Sequence, residues 1–476
     1  MVQAALRLDT RNPYLQGAYA PTGEEVEREC RVIAGAIPAD LDGLLVRNGP
    51  NPHFAPEGRY HWFDGDGMVH AVRFRDGRAH YRNRWVSTRA FAEEQAAGRA
   101  LWRGIMEGPN RARRDMPLKD TANTDIIFHH GKLLALWYLS GQPYALDPAT
   151  LATLGADDFG GTLKTHVSAH AKVDYQTNEL MFFDYGPVKP YMTYGVVDPG
   201  GRLVHQVPID LPAARLPHDM AITENYSILL DLPLYNDMAA LKAGRWRVIF
   251  DRELPARFGI LPRRGGAQDV RWFEASPCYV YHTTNAWEDG DEIVLLACRY
   301  ADPWPEANNQ LPDDLARMMA TLRLDTRHHV WRFNLKTGAC REQTIDPDRN
   351  TEFPSINLNV RGRRSRYCYN VSIKDSPTLL FDGLVKYDER GGASRHDFGP
   401  GRFGSESPFA PRASNRQEDD GYVVSFVYDA DADRSEAVVI DAQDFTKPPV
   451  ARIELPQRVP LGFHATWVEG RHLPRG

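Results

Sequence analysis

The sequence predicts an all-β protein, and three observations lead to that prediction. Turn-forming dipeptides recur along the whole 476-residue chain, which contains 38 glycines and 34 prolines. Between the turns lie short apolar or alternating runs with the length of a β-strand. Few segments have helical character, chiefly 236–244 and 312–322. This pattern favours a propeller, a barrel or stacked sandwiches, and since no low-complexity linker interrupts the chain, we expect residues 1–476 to form a single domain.

The strands can be predicted in order. The runs MVHAVRF (68–74) and RAHYRNRWV (78–86) flank Asp76-Gly77 and are predicted to pair as a β-hairpin. The preceding DGDG (64–67) is not a calcium loop, because the twelfth position, which requires a glutamate, is Arg75. We predict that it is the turn into the hairpin. Further strands are predicted from KLLALWYL (132–139), ELMFFDY (179–185), DEIVLLACRY (291–300), HVWRFNL (329–335), GYVVSFVYD (421–429) and EAVVIDA (436–442).

Composition excludes several classes of function. The net charge of −6 provides no overall basic field, so we expect no nucleic-acid partner. Five scattered cysteines without a CxxC pair argue against a disulfide framework and a zinc ribbon, and favour a reducing compartment. The N-terminal residues show no secretory signal, and the uncharged run 133–146 is shorter than the roughly 20 residues of a spanning helix. We therefore expect a cytoplasmic protein, and weak peripheral membrane contact stays open.

The sixteen histidines fall into different settings. Five lie among or near charges and are predicted to be surface residues: His80, His328, His329, His396 and His472. His166 and His170 have an HxxxH spacing, but the glutamate of a zincin motif is replaced by Val167.

Four histidines share small, apolar or aromatic neighbours, which is the setting of a buried side chain. They are His170, His218, His282 and His464, separated by 48, 64 and 182 residues. These spacings match no compact ligand motif and would place each histidine on a separate sheet. Buried histidines are commonly hydrogen-bonded core residues, whereas four facing a common axis would suit Fe, Zn, Cu or Ni.

With these motifs the chain resembles the carotenoid cleavage oxygenase family over nearly its whole length. The matching segments include GLLVRNGPNP (43–52), YHWFDGDGMVHAVRF (60–74), TANTD (121–125), SAHAKVD (168–174), PHDMAIT (217–223), HTTNAWE (282–288), EFPSIN (352–357), SESPFAPR (405–412) and GFHATW (462–467). The resemblance implies a seven-bladed β-propeller with a dome of loops and helices over the metal face. It also implies a non-haem Fe(2+) held by His170, His218, His282 and His464.

The resemblance further implies residues that orient the histidines. Glu352 is expected to orient His282, and Glu406 is expected to orient His464. The glutamate that would support His218 is replaced by Tyr138, whose phenol carries no charge at neutral pH. We therefore expect His218 to be held by Tyr138 or by a rearranged neighbour. Thr124 matches the family position that crowds one open iron site.

The activity implied is cleavage of a carbon–carbon double bond by O2, giving two carbonyl products. Relatives that act on stilbenes or isoeugenol commonly carry a lysine at the position of Trp137 and an upstream tyrosine near Ile105 and Met106. Because both are missing, a carotenoid or apocarotenoid is the expected substrate, and a stilbene or other phenylpropanoid alkene is the alternative. The second alternative is a non-oxygenase, either an isomerase or a non-catalytic propeller. Trp137 is predicted to line the substrate pocket or to be a core residue, and the oligomeric state is not predicted.

Overall fold

The computed structural model describes residues 11–110, 112–243, 247–413 and 416–474. Seven antiparallel sheets of four to six strands are arranged as the blades of a β-propeller. The all-β, seven-bladed prediction is thereby confirmed, whereas the prediction of a single domain over residues 1–476 stays a prediction. In the part of the chain that the model describes, no helix is long and apolar enough to cross a membrane.

Blades 2 to 6 are each formed by four strands in chain order, and in blade 4 a separate hairpin is inserted between the second and third strands. The strands are, for blade 2, Asp125–His129, Lys132–Leu136, Tyr144–Leu146 and Thr153–Ala156; for blade 3, Lys172–Asp174, Glu179–Tyr185, Tyr191–Val197 and Leu203–Asp210; for blade 4, Met220–Ile222, Tyr226–Asp231, Ala256–Pro262 and Arg271–Ala275; for blade 5, Tyr279–Asp289, Glu292–Tyr300, Thr326–Asn334 and Cys340–Thr344; and for blade 6, Thr351–Ser355, Tyr367–Lys374, Leu380–Asp388 and Ala393–Asp397.

Blades 1 and 7 combine strands from both ends of the chain, which closes the ring. In blade 1 the last strand pairs with an early one, with Leu45 opposite Trp467. In blade 7 Arg31 lies opposite Glu454. The strands of blade 1 are Glu27–Glu29, Gly43–Pro50, Gly67–Arg75, Arg78–Trp85 and Ala465–Glu469, and those of blade 7 are Arg31–Gly35, Arg402–Phe403, Phe409–Pro411, Gly421–Asp429, Arg434–Asp441 and Ala451–Glu454.

The innermost strands of the blades surround a common axis and position the site. Neighbouring inner strands contact each other around the ring, and Ser355 Oγ donates to the carbonyl of Ser407 (2.5 Å) between blades 6 and 7. Inner and middle strands are almost wholly buried; every residue of Gly43–Pro50 is buried, for example. Such strands are apolar on both faces because each blade packs between two others.

A dome of loops and short elements covers one end of the axis. A two-stranded hairpin is formed by Leu234–Asn236 and Val248–Phe250. The α-helices among the described residues are Arg89–Ala97, Met238–Lys242 and Asp314–Thr321, and the 3₁₀ helices are Pro13–Leu15, Gly17–Tyr19, Trp62–Asp64, Ile105–Glu107, Ala267–Asp269, Glu306–Gln310, Leu358–Val360 and Gly470–His472.

The six predicted strand runs and the hairpin at Asp76-Gly77 are confirmed with small shifts at their ends. The run 132–139 is the exception of most consequence, because its strand ends at Leu136 and leaves Trp137 and Tyr138 in the following loop. Of the two helical segments, 312–322 forms Asp314–Thr321, and 236–244 forms only Met238–Lys242, with residue 244 outside the described residues.

The surface prediction is wrong for three of the five histidines. His328 is buried and stacks on Tyr387, with ring centroids 4.5 Å apart. His329 and His396 are also buried, and His396 Nδ1 lies 2.9 Å from the carbonyl of Phe445. Charged neighbours in the sequence misled the prediction, because in a strand successive side chains point to opposite faces.

Candidate metal centre

The four histidines singled out by the sequence lie at the innermost strands of four blades. His170, His218 and His464 come just before the inner strands of blades 3, 4 and 1, and His282 lies within that of blade 5. The register of the blade 5 strand shifts on either side of Thr283. Such a bulge re-aims side chains. His170 has a φ of +70°, a backbone conformation that also departs from the regular strand.

The four imidazoles form one buried cluster on the axis. The ring centroid of His170 lies 4.7 Å from that of His218, 5.1 Å from that of His282 and 4.5 Å from that of His464. His282 lies 5.3 Å from His218 and 4.5 Å from His464. All four residues are at most 6% exposed. Residues that are 294 positions apart in the chain thus meet at one point.

The cluster suits a metal ion because two of its buried ring nitrogens have no hydrogen-bond partner in the described part of the chain. One ligand atom each from His170, His282 and His464 lies within 4.8 Å of the others; His218 stands beside this trio. Among the described residues, Nε2 of His170 and Nε2 of His282 are buried without a hydrogen-bond partner. Buried polar groups are rarely left unpaired, so nitrogens that converge without partners indicate a ligand.

The electrostatics favour a neutral imidazole, the form that a metal requires, at three of the four histidines. Burial, followed by the neighbouring imidazoles, holds the pKa of His170, His218 and His282 well below the usual value. At His464 burial also opposes the charged form, but the carboxylate of Glu406 outweighs it and the pKa is raised. A neutral imidazole offers a free lone pair to a metal, whereas an imidazolium does not.

Two glutamates from the remaining blades hold the outer nitrogens of two imidazoles. Glu352, fully buried in the inner strand of blade 6, is hydrogen-bonded through Oε2 to His282 Nδ1. Glu406, just before the inner strand of blade 7, lies with Oε2 3.2 Å from His464 Nδ1. Carboxylates in this position fix the tautomer and the ring orientation of a metal-ligating histidine.

Tyr138 contacts His218 by its ring. The two ring centroids are 6.1 Å apart with an interplanar angle of 41°, and no hydrogen bond joins the two side chains. Tyr281 packs edge-on against the other side of His218 at 4.9 Å. Thr124 Oγ1 accepts a hydrogen bond from the backbone N–H of Tyr138 (3.2 Å), which ties the loop to blade 2.

The cluster lies between two spaces of opposite character. On the dome side is a small apolar cavity; its lining includes Thr124, Phe63, Leu322, Phe353, Leu379 and Phe463. On the other side an axial channel is lined by polar groups that include Asp125, Lys172, Asp219 and Glu406. The surroundings of the cluster are therefore apolar on the dome side and polar on the channel side.

Trp137 does not line the apolar cavity. It lies in a separate side cavity together with charged residues that include Asp64, Glu94, Arg103 and Lys119. Phe63 forms part of the wall of both cavities. Its strand ends at Leu136, so Trp137 lies just beyond the strand. The sequence did not predict this boundary.

Sequence reasoning missed the aspartates beside the histidines. Asp125, the last residue of the TANTD segment, accepts a hydrogen bond from the backbone N–H of His170 (2.9 Å). Asp219 directly follows His218 and is 2% exposed. The available signal was the acidic residue at a strand start beside an apolar run, where a carboxylate must be either exposed or fully partnered.

Comparisons with known proteins place this geometry in context. The family model described as retinal pigment epithelial membrane protein matches residues 19–469. The chain is 39% identical to a carotenoid 9,10(9′,10′)-cleavage dioxygenase of Crocus sativus, covering 97% of this chain and 90% of that protein. The structure resembles the lignostilbene dioxygenase of Pseudomonas brassicacearum (TM-score 0.86, 30% identity, 97% and 99% covered). It also resembles the cobalt-substituted apocarotenoid oxygenase of Synechocystis (TM-score 0.83, 30% identity, 98% and 100% covered).

Proposed function

The chain belongs to the carotenoid cleavage oxygenase family, and on this premise we propose that it is an Fe(2+)-dependent dioxygenase that uses O2 to cleave a carbon–carbon double bond of a carotenoid or apocarotenoid into two carbonyl products. The observation that carries the proposal is the buried cluster of imidazoles whose free nitrogens converge beside an apolar cavity.

The metal would be held by His170, His218, His282 and His464. Imidazole nitrogen is a suitable donor for Fe(2+), and the depressed pKa values of three of these side chains keep them neutral. When bound, the iron supplies the activation of O2 that the protein side chains cannot supply. Four neutral ligands do not compensate its charge, so Glu352 and Glu406 provide the compensating carboxylates through His282 and His464.

The protein's own residues position the alkene and exclude water. Apolar side chains of the cavity, such as Leu322, Leu379 and Phe463, are at most 4% exposed and provide a dry wall for a polyene. Thr124 is the polar residue from blade 2 in this wall. Its hydroxyl donates to Asn123 Oδ1 (2.9 Å) and accepts from the backbone of Tyr138. With both roles occupied, we infer that it restricts access to one side of the metal without acting on a proton.

The lining of the apolar cavity favours a carotenoid over a 4-hydroxystilbene. It contains no lysine, arginine or carboxylate among its described residues, so a buried phenol would find no charged partner there. Charged groups lie instead in the side cavity behind Phe63. A phenolic alkene remains the alternative, because the lignostilbene dioxygenase has the same fold over nearly its whole length.

A product assay tests the proposal. Fe(2+)-loaded protein is incubated under O2 with an apocarotenal and, separately, with a 4-hydroxystilbene, and carbonyl fragments are detected by mass. Two fragments from the apocarotenal with equimolar O2 consumption are expected. Fragments from the stilbene alone would overturn the substrate class and retain the chemistry. Isomerised substrate without O2 consumption, or no product from iron-loaded protein, would overturn the oxygenase and leave the isomerase or the non-catalytic propeller.

A further inference from the structure

Asp219 lies at a junction of three blades that carry three of the clustered histidines. It follows His218 directly, and it is 2% exposed. Its Oδ1 accepts from the backbone N–H of Met220 (2.6 Å) and pairs with Lys172 Nζ (2.6 Å). Its Oδ2 accepts from the backbone N–H of Thr283 (2.7 Å) and lies 2.9 Å from Thr283 Oγ1.

The side-chain partners of Asp219 are close in sequence to two of the clustered histidines. Thr283 is the residue after His282 in blade 5, and Lys172 is two residues after His170 in blade 3. One carboxylate therefore joins the backbone at His218 and His282 directly and reaches the strand of His170 through an ammonium group. Three donors and the hydroxyl of Thr283, which also lies 3.0 Å from the carbonyl oxygen of Met220, surround its two oxygens.

We propose that Asp219, together with Lys172 and Thr283, is a positioning residue that sets the relative placement of His170, His218 and His282. The inference rests on the proposed metal centre and adds to it the means by which His218 is held. Asp219 acts through the backbone and touches neither substrate nor metal.

The need for such a clamp follows from the environment of His218. In the described structure its ring makes no hydrogen bond to a side chain, whereas His282 and His464 have Glu352 and Glu406. Ring contacts with Tyr138 and Tyr281 limit its tilt but do not fix which nitrogen faces the axis. A rigid backbone at residue 219 is then the principal restraint on the position from which the imidazole of His218 projects.

Lys172 makes the clamp electrically neutral. A lone carboxylate beside the cluster would add a negative charge on the axis, but the ammonium at 2.6 Å cancels it. The pair therefore adds no net charge beside the cluster, in contrast to the carboxyl groups of Glu352 and Glu406.

Asp174 provides a matched control. It lies at the far end of the inner strand of blade 3, is fully buried, and joins blades by accepting from Arg263 (2.7 Å) and Arg363 (2.8 Å). It is therefore a buried, ion-paired aspartate that bridges blades but contacts no residue beside a histidine of the cluster.

The test uses Co(2+) binding to the metal-free full-length protein, followed by competition with a chelator and by the visible absorption of Co(2+), which reports coordination geometry. Asp219→Asn should lower the affinity about 10- to 100-fold, the usual effect of losing a residue that orients a ligand, and should alter the spectrum. Asp174→Asn should lower the melting temperature and leave both properties unchanged. Thr283→Val should show a smaller loss of affinity that Thr283→Ser does not show.

The outcomes separate the clamp from the metal centre. Wild-type protein that binds no Co(2+) would overturn the metal centre and the clamp together. Wild-type binding with an unchanged affinity and spectrum in Asp219→Asn, or with equal changes in both asparagine variants, would overturn the clamp alone. Should Asp219→Asn not fold, the Thr283 pair decides, and equal affinities of the valine and serine variants would refute the proposal.

Discussion

Replacing Glu352 by glutamine tests most directly how the carboxylates act on the metal centre. The side chain is fully buried, and its Oε2 is hydrogen-bonded to both His282 Nδ1 and the backbone N–H of Phe353. Burial raises the pKa of Glu352, and a cation held by the imidazoles would favour its charged form. Glutamine has nearly the same shape, so the expected change is the loss of the carboxylate that a bound metal would keep ionised, with little change in packing.

The magnitude follows from the contact that is lost. Residues that orient a metal ligand typically contribute 10- to 100-fold to metal affinity, which corresponds to about 1.4–2.8 kcal/mol. Glu352→Gln should fall near the upper end because this contact is fully buried. Glu406→Gln should cost less, since Glu406 is 9% exposed and lies at 3.2 Å from His464.

The assay is an anaerobic chelator competition for Fe(2+), with O2 consumption measured on the same samples. Glu342→Gln is the control, because Glu342 also faces a buried histidine, His329, at 3.6 Å in blade 5 and away from the cluster. An iron affinity of Glu352→Gln equal to that of the wild type, or matched by the control variant, would refute the role assigned to the carboxylate.

Three further predictions concern the exposed histidine, the apolar cavity and a buried ion pair within blade 7. His166→Ala should retain the full iron content by metal analysis, because this side chain is exposed; loss of iron would show the ligand set to be wrong. Leu322→Phe should fill part of the apolar cavity and lower kcat/KM for the alkene by roughly tenfold at unchanged iron content, since a change of about one methylene in an apolar substrate pocket alters discrimination by about 1–3 kcal/mol. Burial alone would raise the pKa of Glu436, but hydrogen bonds from Arg452 and Arg402 lower it from 4.5 to about 2. Glu436→Gln should therefore reduce stability by about 3 kcal/mol above pH 5, and the difference should shrink as the pH falls from 4.5 towards 2 in denaturant unfolding; a difference independent of pH would contradict the cited pKa.

Each blade contributes its own side chains to the site, at or near the start of its innermost strand. Blades 1, 3, 4 and 5 carry the imidazoles, and blades 6 and 7 carry Glu352 and Glu406 at corresponding positions near the start of the inner strand. Blade 2 carries Thr124 and Asp125. The inner strands of the seven blades and the residues just before them thus present four imidazoles, the carboxyl groups of Glu352 and Glu406, and the pair Thr124 and Asp125 to one axis, which a fold of radially repeated sheets makes geometrically simple.

Local sequence patterns were sufficient to predict the strands, but they did not predict whether a single side chain is buried. Apolar runs between turns predicted Glu179–Tyr185 and Gly421–Asp429 within one residue, because burial of a strand depends mainly on its own composition. Charged neighbours wrongly placed His328 on the surface, because exposure depends on which face of the strand meets the next blade.

The sequence by itself determined the all-β class, the strand positions and, through its resemblance to a family, which histidines and glutamates to examine. Only the tertiary structure decided that Trp137 faces a charged side cavity, that the ring of His218 is held by aromatic contacts without a carboxylate, and that Asp219 joins three blades. The physical reason is that the contacts of His218 with Tyr138 and of Asp219 with Lys172 and Thr283 join residues 47 to 80 positions apart. Ring closure brings such residues together, and no local spacing in the chain records which of them will meet.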